Sequence, residues 1–427
     1  MPFKRPLILI PAVIALVAVT VFAVAWIGAR TGMARRMVAG WVTESAGLPA
    51  TIDSLRIGIL PRPALDIGGL AIAQPPGFGP KPIVEVGHIR ATIPWGSVFA
   101  PTSVEVLSIS DVTARLEVAS NGETNWSRLG AEAGAAGTEP ANADWSIAKL
   151  DLERGTVEYE DRPADSRWQL MAITVSAADV APAAPFPIDL RLGGIFGPNT
   201  IHYAVKGQAR LDLAAGRYEA NGLEYRGWAG GDPMPLAGVE LTGAMKRAVF
   251  ESATGVATLG NSHFRLAEIP GEFSGTVDLD EPELQAEFRL TTDAFEPRVS
   301  ANIFGHPLPM TTDPRVLGSL QLALQGRVRE GEIELDPVSG RLDDTNFDGR
   351  VVPGQRLVRA NLDQIDVNRY LAPEVKSTRK KKATLEAAVA QLAEFDIDAE
   401  IRIEEARVAG AMLRKTVIRI ERNGETR

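Results

Sequence analysis

From Ala50 to residue 373, apolar and polar residues alternate with a period of two. The runs are short, Gly, Pro, Asn and Asp separate them, and no helical pattern of ordinary length intervenes. Such alternation is the mark of strands with one face buried, and it excludes a βαβ fold. Leu55, Ile57 and Ile59 alternate with Arg56 and Gly58, then Leu65 and Ile67 follow Pro61 and Pro63, which reads as strand, turn, strand. Across residues 83–93 the apolar phase, including Ile89 and Ile93, shifts around Gly87 and His88, as a β-bulge requires. Strands continue through 104–109, 112–118, 145–152, 157–159 and 168–175, and roughly ten more lie between 201 and 353.

Ahead of the strands stands an uncharged run. After Lys4 and Arg5, residues 7–28 carry no charged side chain. At about 1.5 Å per residue they match the roughly 30 Å hydrocarbon core of a bilayer. The expectation is a transmembrane anchor over 7–28, with Trp26 at the far interface and Pro11 tolerated near the start. A cleaved signal peptide competes with it, because Ala23-Val24-Ala25 is small-x-small. Arg30, Arg35 and Arg36 outnumber Lys4 and Arg5, yet a signal-like start followed by a long trailing region directs the bulk of the chain outward. Residues 33–46 then read as a short amphipathic helix carrying Met33, Met37, Val38, Trp41 and Val42, ended by Gly47 and Pro49.

Composition narrows the class. The 427 residues exceed one ordinary core, and 6% aromatics with 45% hydrophobics excludes a polytopic membrane protein. A formal charge of −9 makes nucleic acid a poor partner. Without cysteine there are no disulfides and no thiolate metal sites.

Catalytic signals are weak. Ser146-Ile-Ala-Lys149 and Ser377-Thr-Arg-Lys380 match S-x-x-K but lack its partner motifs. Asp344 to Gly349 resembles half of a calcium loop whose closing position falls on Gln355, so a strand turn is the better reading. His88, His202, His263 and His306 have no ligand spacing. No catalytic residue, metal or cofactor is expected, and the chain reads as a non-enzyme.

The order of short motifs carries a resemblance. After the apolar run come Gly47-Leu-Pro-Ala-Thr-Ile52, Arg62-Pro-Ala-Leu65, Pro75-Pro-Gly-Phe78 and Asn121-Gly-Glu-Thr-Asn125-Trp126. Gly155-Thr-Val-Glu-Tyr-Glu-Asp161 and Asp293-Ala-Phe295-Glu-Pro297-Arg298 follow, then Gly340-Arg-Leu-Asp-Asp344 leading into Asp363-Gln-Ile-Asp-Val-Asn-Arg-Tyr370. In this order the chain resembles the AsmA family of bacterial envelope proteins over nearly its whole length, with Asn125, Trp126, Phe295, Pro297 and Arg298 as family-motif residues. Members of this layout continue past a segment like 395–422, so the stop at Arg427 suggests a shortened member or a truncated frame.

The expected fold is mainly β: an N-terminal transmembrane helix followed by an extended, curled antiparallel β-sheet, groove-like in the manner of bridge-like lipid-transfer proteins, with a few short helices. The expected segments are a cytoplasmic start at 1–6, the anchor at 7–28, an N-terminal AsmA-like β domain at 29–129 and a linker at 130–143. A central β-rich region at 144–373 follows, then a basic linker and short helix at 374–394 and the start of a further β region at 395–427. The resemblance implies a single-pass protein of the bacterial inner membrane, its bulk in the periplasm, that shields or transfers phospholipid and supports outer-membrane assembly. The alternative is a scaffold that modulates outer-membrane protein assembly without carrying lipid. Partners would be membrane phospholipid and other envelope assembly proteins. Leu55, Ile57, Ile59, Leu65, Ile67, Ile89 and Ile93 are the lipid-contact candidates, since a one-faced apolar stripe can shield acyl chains at about 25 cal/mol per Å². A closed sandwich core without ligand is the competing use of the same residues.

Overall fold

A computed structural model of the chain describes residues 32–97, 103–127, 129, 145–232, 235, 238–279, 285–329, 331–373, 398–408 and 410–420. The expected anchor at 7–28, the linker at 130–143 and the basic stretch and helix within 374–394 lie outside these. Among the described residues, no helix is long and apolar enough to cross a membrane.

Helix α1 (Gly32–Ala46) covers the expected amphipathic segment. Val38, Val42 and Ala46 recur every four residues and are buried, the single stripe an α-helix offers to a core. Gly47, at φ 69°, ends it in the left-handed region where glycine is favoured.

Most of the rest is strand. Among the described residues nineteen strands form one sheet, and the chain divides into two compact units. Residues 2–238 and 246–255 make the first unit, whose strands are β1 (Ala50–Gly58), β2 (Ala64–Ile72), β3 (Val84–Thr92), β4 (Ser103–Val118) and β5 (Ser146–Asp161). It continues with β6 (Ser166–Val180), β7 (Pro185–Phe196), β8 (Asn199–Asp212) and β9 (Arg217–Gly230). Strand β10 (Val239–Glu251) divides between the units at Met245 and Lys246. The second unit holds β11 (Val256–Leu266), β12 (Ile269–Asp278), β13 (Gln285–Thr292), helix α2 (Pro297–Ile303) and β14 (Leu320–Arg329). Then come β15 (Glu332–Leu342), β16 (Thr345–Val352), β17 (Leu357–Asp366), the single turn α3 (Val367–Tyr370), β18 (Asp398–Val408) and β19 (Ala411–Ile420).

Ladders join sequence neighbours, and two of them correct the all-antiparallel expectation. The β4–β5 and β17–β18 pairs are parallel. Parallel neighbours need a long connection to bring the chain back to the starting end, which a hairpin cannot do. The long connections at 119–145 and 367–397 meet that need, and both contain stretches that the sequence reads as linkers.

The phase shift expected at Gly87 is present, but not as a bulge in its own ladders. Buried positions change phase in three adjacent strands: Leu65 and Ile67 give way to Leu70 and Ile72, Val86 to Ile89, and Ile109 to Val112. The β2–β3 and β3–β4 registers nevertheless run on unbroken. The change follows one row, Gly69 opposite Gly87 opposite Asp111 opposite Arg154, in which Gly69 (φ 66°), Asp111 (φ 58°) and Arg154 (φ 55°) are left-handed. A left-handed residue turns the following side chains over without adding a residue. A Cβ at Gly69 would run into the Asp53 side chain, so glycine is required there. Arg154 grips Asp111 through two hydrogen bonds, Nε–H to Oδ1 at 2.6 Å and Nη2–H to Oδ2 at 2.9 Å.

The main core lies in the first unit. It joins Val38, Val42 and Leu48 to inward residues of β1–β5, among them Leu65, Ile67, Ile89, Leu107 and Ile147. A smaller core in the second unit gathers Ala399, Ile403, Ala406, Val408, Ile418 and Ile420 from β18 and β19.

Candidate functional site

Residues opposite one another in an antiparallel ladder share a face, so the registers sort the second unit's side chains directly. One row runs Gly275, Phe288, Gly326, Leu335, Val351 and Val358 across β12 to β17. Beside it run Phe273, Leu290, Leu324 and Val338, and Val277, Ala286, Val328 and Ile333. The intervening rows are polar: Thr276, Glu287, Arg327 and Glu334, then Ser274, Arg289 and Gln325. One face is therefore apolar and the other charged. The charged face is laced by Arg350–Glu334 at 2.7 Å, Arg329–Glu287 at 3.5 Å and Arg327–Glu287 at 3.7 Å.

The apolar face is not sealed. Phe273, Phe288, Leu290, Leu324, Leu335 and Val351 are half-buried, and Ile333 is 43% exposed. Glycines opposite aromatics flatten the surface. A Cβ at Gly326 would strike the Phe288 ring, and one at Gly340 would strike Phe347, so each ring lies over a bare backbone. Phe273 and Phe288 stack at 6.1 Å.

The first unit repeats this arrangement beyond its core. Leu152, Val175, Leu190, Val205 and Tyr225 form an apolar row across β5 to β9, all half-buried. The neighbouring row is Asp151, Ser176, Asp189, Lys206 and Glu224, with Lys206 3.0 Å from Asp189. Tyr203 stacks on Tyr225 at 6.1 Å, and burial raises its phenol pKa.

The residues singled out in sequence fall elsewhere. Leu65, Ile67, Ile89 and Ile93 are each 1% exposed, inside the core that includes the α1 stripe. Their apolar surface is already covered by the chain itself. Leu55 and Ile57 are half-buried against that core, and Ile59 lies past the end of β1, 51% exposed. The seven do not form one open stripe. In the sequence Gly275, Gly326, Gly340 and Gly349 interrupt the apolar alternation of β12–β17, and the placing of glycine opposite phenylalanine exists only in the register.

The family-motif residues are structural ties. Asn125, fully buried, donates to Gln74 Oε1 (2.9 Å) and the Arg115 carbonyl (2.8 Å) and accepts from the Glu117 N–H (3.0 Å). Beside it, Trp126 is buried with Tyr159 at 6.3 Å. Burial and the bond to Asp161 push the Tyr159 hydroxyl up to about 12. Phe295 bridges to Leu320, Pro297 opens α2, and Arg298 donates to the carbonyls of Val316 and Pro309 and to Thr311.

A second tie lies nearby. The Asp343 carboxylate accepts from the Leu317, Gly318 and Ser319 N–H groups and from the Tyr370 hydroxyl at 2.8 Å. Burial alone would raise the Asp343 pKa, and these four donors outweigh it and lower it. Arg369 joins Asp313 and Asp344, each at 2.9 Å.

The remaining sequence signals resolve into structure. Asp344 to Gly349 enters the β15–β16 hairpin, with Leu342 opposite Thr345. Lys149, on β5, lies 2.7 Å from Asp151. Ser377 and Lys380 lie outside the described residues. His88 sits 3.4 Å from Asp66, His263 3.3 Å from Glu272, and His202 packs on Trp228. Among the described residues, no group of three or more His, Asp or Glu could hold a metal. No family model matches this chain, and no curated protein matches it.

Proposed function

We propose that this is an AsmA-like, membrane-anchored envelope protein whose uncovered apolar sheet face shields or transfers phospholipid in the periplasm and so supports outer-membrane assembly. The observation that carries the reading is the row from Gly275 to Val358, apolar across six strands and half-buried except at Gly326, backed by a charged face. An empty face of that kind is an aggregation liability. At about 4.8 Å between strands it runs about 24 Å, enough for an acyl chain that fills one leaflet of a roughly 30 Å hydrocarbon core. Branched aliphatics and flat rings over glycine match hydrocarbon without demanding a particular headgroup.

The test places a photo-crosslinking residue at Leu335 or Leu324 and at the charged-face positions Arg327 and Gln325, in cells fed labelled phospholipid. Lipid is expected at the first pair and not at the second. Protein adducts at Leu335 without lipid would favour the scaffold; equal lipid labelling on both faces would end the groove reading.

A further inference from the structure

Three of the large hydrophobic side chains that the first unit leaves in water meet at one place. Leu60 is 83% exposed, Ile59 51% and Trp95 47%. Ile59 and Leu60 form the turn between β1 and β2, and Trp95 follows β3 beside it, its indole N–H donating to the Pro61 carbonyl at 3.3 Å. We infer that this turn is a membrane-contact tip, dipping Ile59, Leu60 and the Trp95 ring into the interface of the bilayer that holds the anchor. The inference rests on the anchoring in the reading above and is independent of lipid carriage.

Chain geometry places the tip at that bilayer. Helix α1 and β1 are antiparallel about the turn at Gly47: Thr43 Oγ1 accepts from the Ala50 N–H at one end, and Arg35 donates to the Asp53 carbonyl further along. The helix therefore runs away from the end where residues 7–28 join, and β1 runs back toward it. From the Arg35–Asp53 contact the helix extends about 5 Å to Gly32, at 1.5 Å per residue, whereas β1 and its turn extend about 20 Å to Ile59, at 3.3 Å per residue. The tip projects about 15 Å beyond the helix start, close to the greatest reach of the four residue steps from Gly28 to Gly32, at 3.3–3.6 Å each. An anchor over 7–28 would therefore leave Leu60 within chain reach of the bilayer surface.

The chemistry of the tip fits an interface. Tryptophan with a ring in hydrocarbon and its N–H at a polar level is the usual membrane-belt arrangement. Two arginines flank the turn, Arg56 on β1 and Arg62 within it. Arg62 reaches Glu105, and Asp66 is taken by Arg90 at 3.7 Å and His88 at 3.4 Å. Basic side chains at this level favour anionic headgroups.

The absence of cysteine gives a clean experiment. Full-length protein bearing Leu60→Cys, or Ser120→Cys in the exposed turn at the far end of β4, is labelled with an environment-sensitive fluorophore. Each is reconstituted in phosphatidylethanolamine–phosphatidylglycerol vesicles with and without nitroxide-headgroup lipid. The expected result is a blue shift and loss of emission at residue 60, with neither at residue 120. A protein that floats with the vesicles but shows no quenching at 60 overturns the tip and leaves the anchor standing. A blue shift at 60 without nitroxide quenching means that protein covers the turn, which also overturns the proposal. Failure to float removes the anchor and the tip together.

Discussion

The strands β1–β4 and β12–β17 share an alternating pattern, yet their inward side chains meet different fates. Leu65, Ile67, Ile89 and Leu107 are at most 1% exposed, in one core with Val38 and Val42 of α1. Leu290, Leu324, Leu335 and Val351, equally inward in register, stay half-buried. The difference is a cover: the first layer has an amphipathic helix with valines four apart, and the described part of the second unit has only α2 and the single turn α3. Alternation defines which face is apolar. It leaves open what lies on that face.

The largest effect should come from treating the two layers alike. Ile89→Ala removes three side-chain carbons from a sealed site, and such core truncations cost about 2–5 kcal/mol. Leu324→Ala deletes a side chain already in partial contact with solvent and should cost about 1 kcal/mol, since the lost burial is smaller. Urea unfolding, followed by hydrogen exchange on peptides from each unit, separates the two. Equal costs would mean that the second face is sealed by something the ladder does not reveal.

Next in size is Asn125→Ala. It strips partners from the Glu117 N–H and the Arg115 carbonyl in a fully buried position, where unsatisfied groups cost about 1–3 kcal/mol. The loss should appear in exchange of β4 peptides, while β12–β17 protection stays unchanged. A uniform loss across both units would contradict their division.

Tyr370→Phe probes the matching tie in the second unit, with an expected cost of about 1 kcal/mol for one hydrogen bond to a carboxylate. The tie also sets a pH dependence. The folded Asp343 pKa is depressed, so its contribution is present above the unfolded aspartate value and fades as pH falls through the folded one. Losing the Tyr370 hydroxyl raises the folded value, so the contribution is smaller and its fade is complete at a higher pH. Acid titration of second-unit exchange should show that upward move, and a superimposable curve would remove Asp343 from the account.

Much of this was legible in the sequence. The period-two runs gave the β class, and Val38 and Val42 on one helical stripe gave α1. The parallel ladders were hidden because β4 and β5, like β17 and β18, meet across long connections whose sequence does not state the direction in which the chain returns. The left-handed row from Gly69 to Arg154 was half visible: the phase shift at Gly87 is in the sequence, but its alignment across strands is a property of register. Burial of Leu65 and Ile89 was not legible, because alternation is blind to a covering helix. Asn125 and Arg298 stood out as motif residues, and only the hydrogen bonds revealed that they tie loops down.

The smallest expected effect comes from the polar face, which both units share. Lys149 is exposed and paired with Asp151, the kind of surface pair worth about 0–1 kcal/mol. Lys149→Ala should therefore change stability by less than about 0.5 kcal/mol, as is usual for surface sites away from special features. Ser146→Ala, at the start of β5, should also leave the phenotype of the intact protein unchanged beyond a modest folding effect. These two residues are the described S-x-x-K pair, so they also bear on chemistry. A specific loss of cellular function in either variant, with hydrogen exchange of β4–β6 unaltered, would give that face a reacting group and reopen the enzyme reading. Without such a loss, the contrast between β1–β4 and β12–β17 remains one of covered and uncovered hydrocarbon, and Lys149 and Ser146 have no part in it.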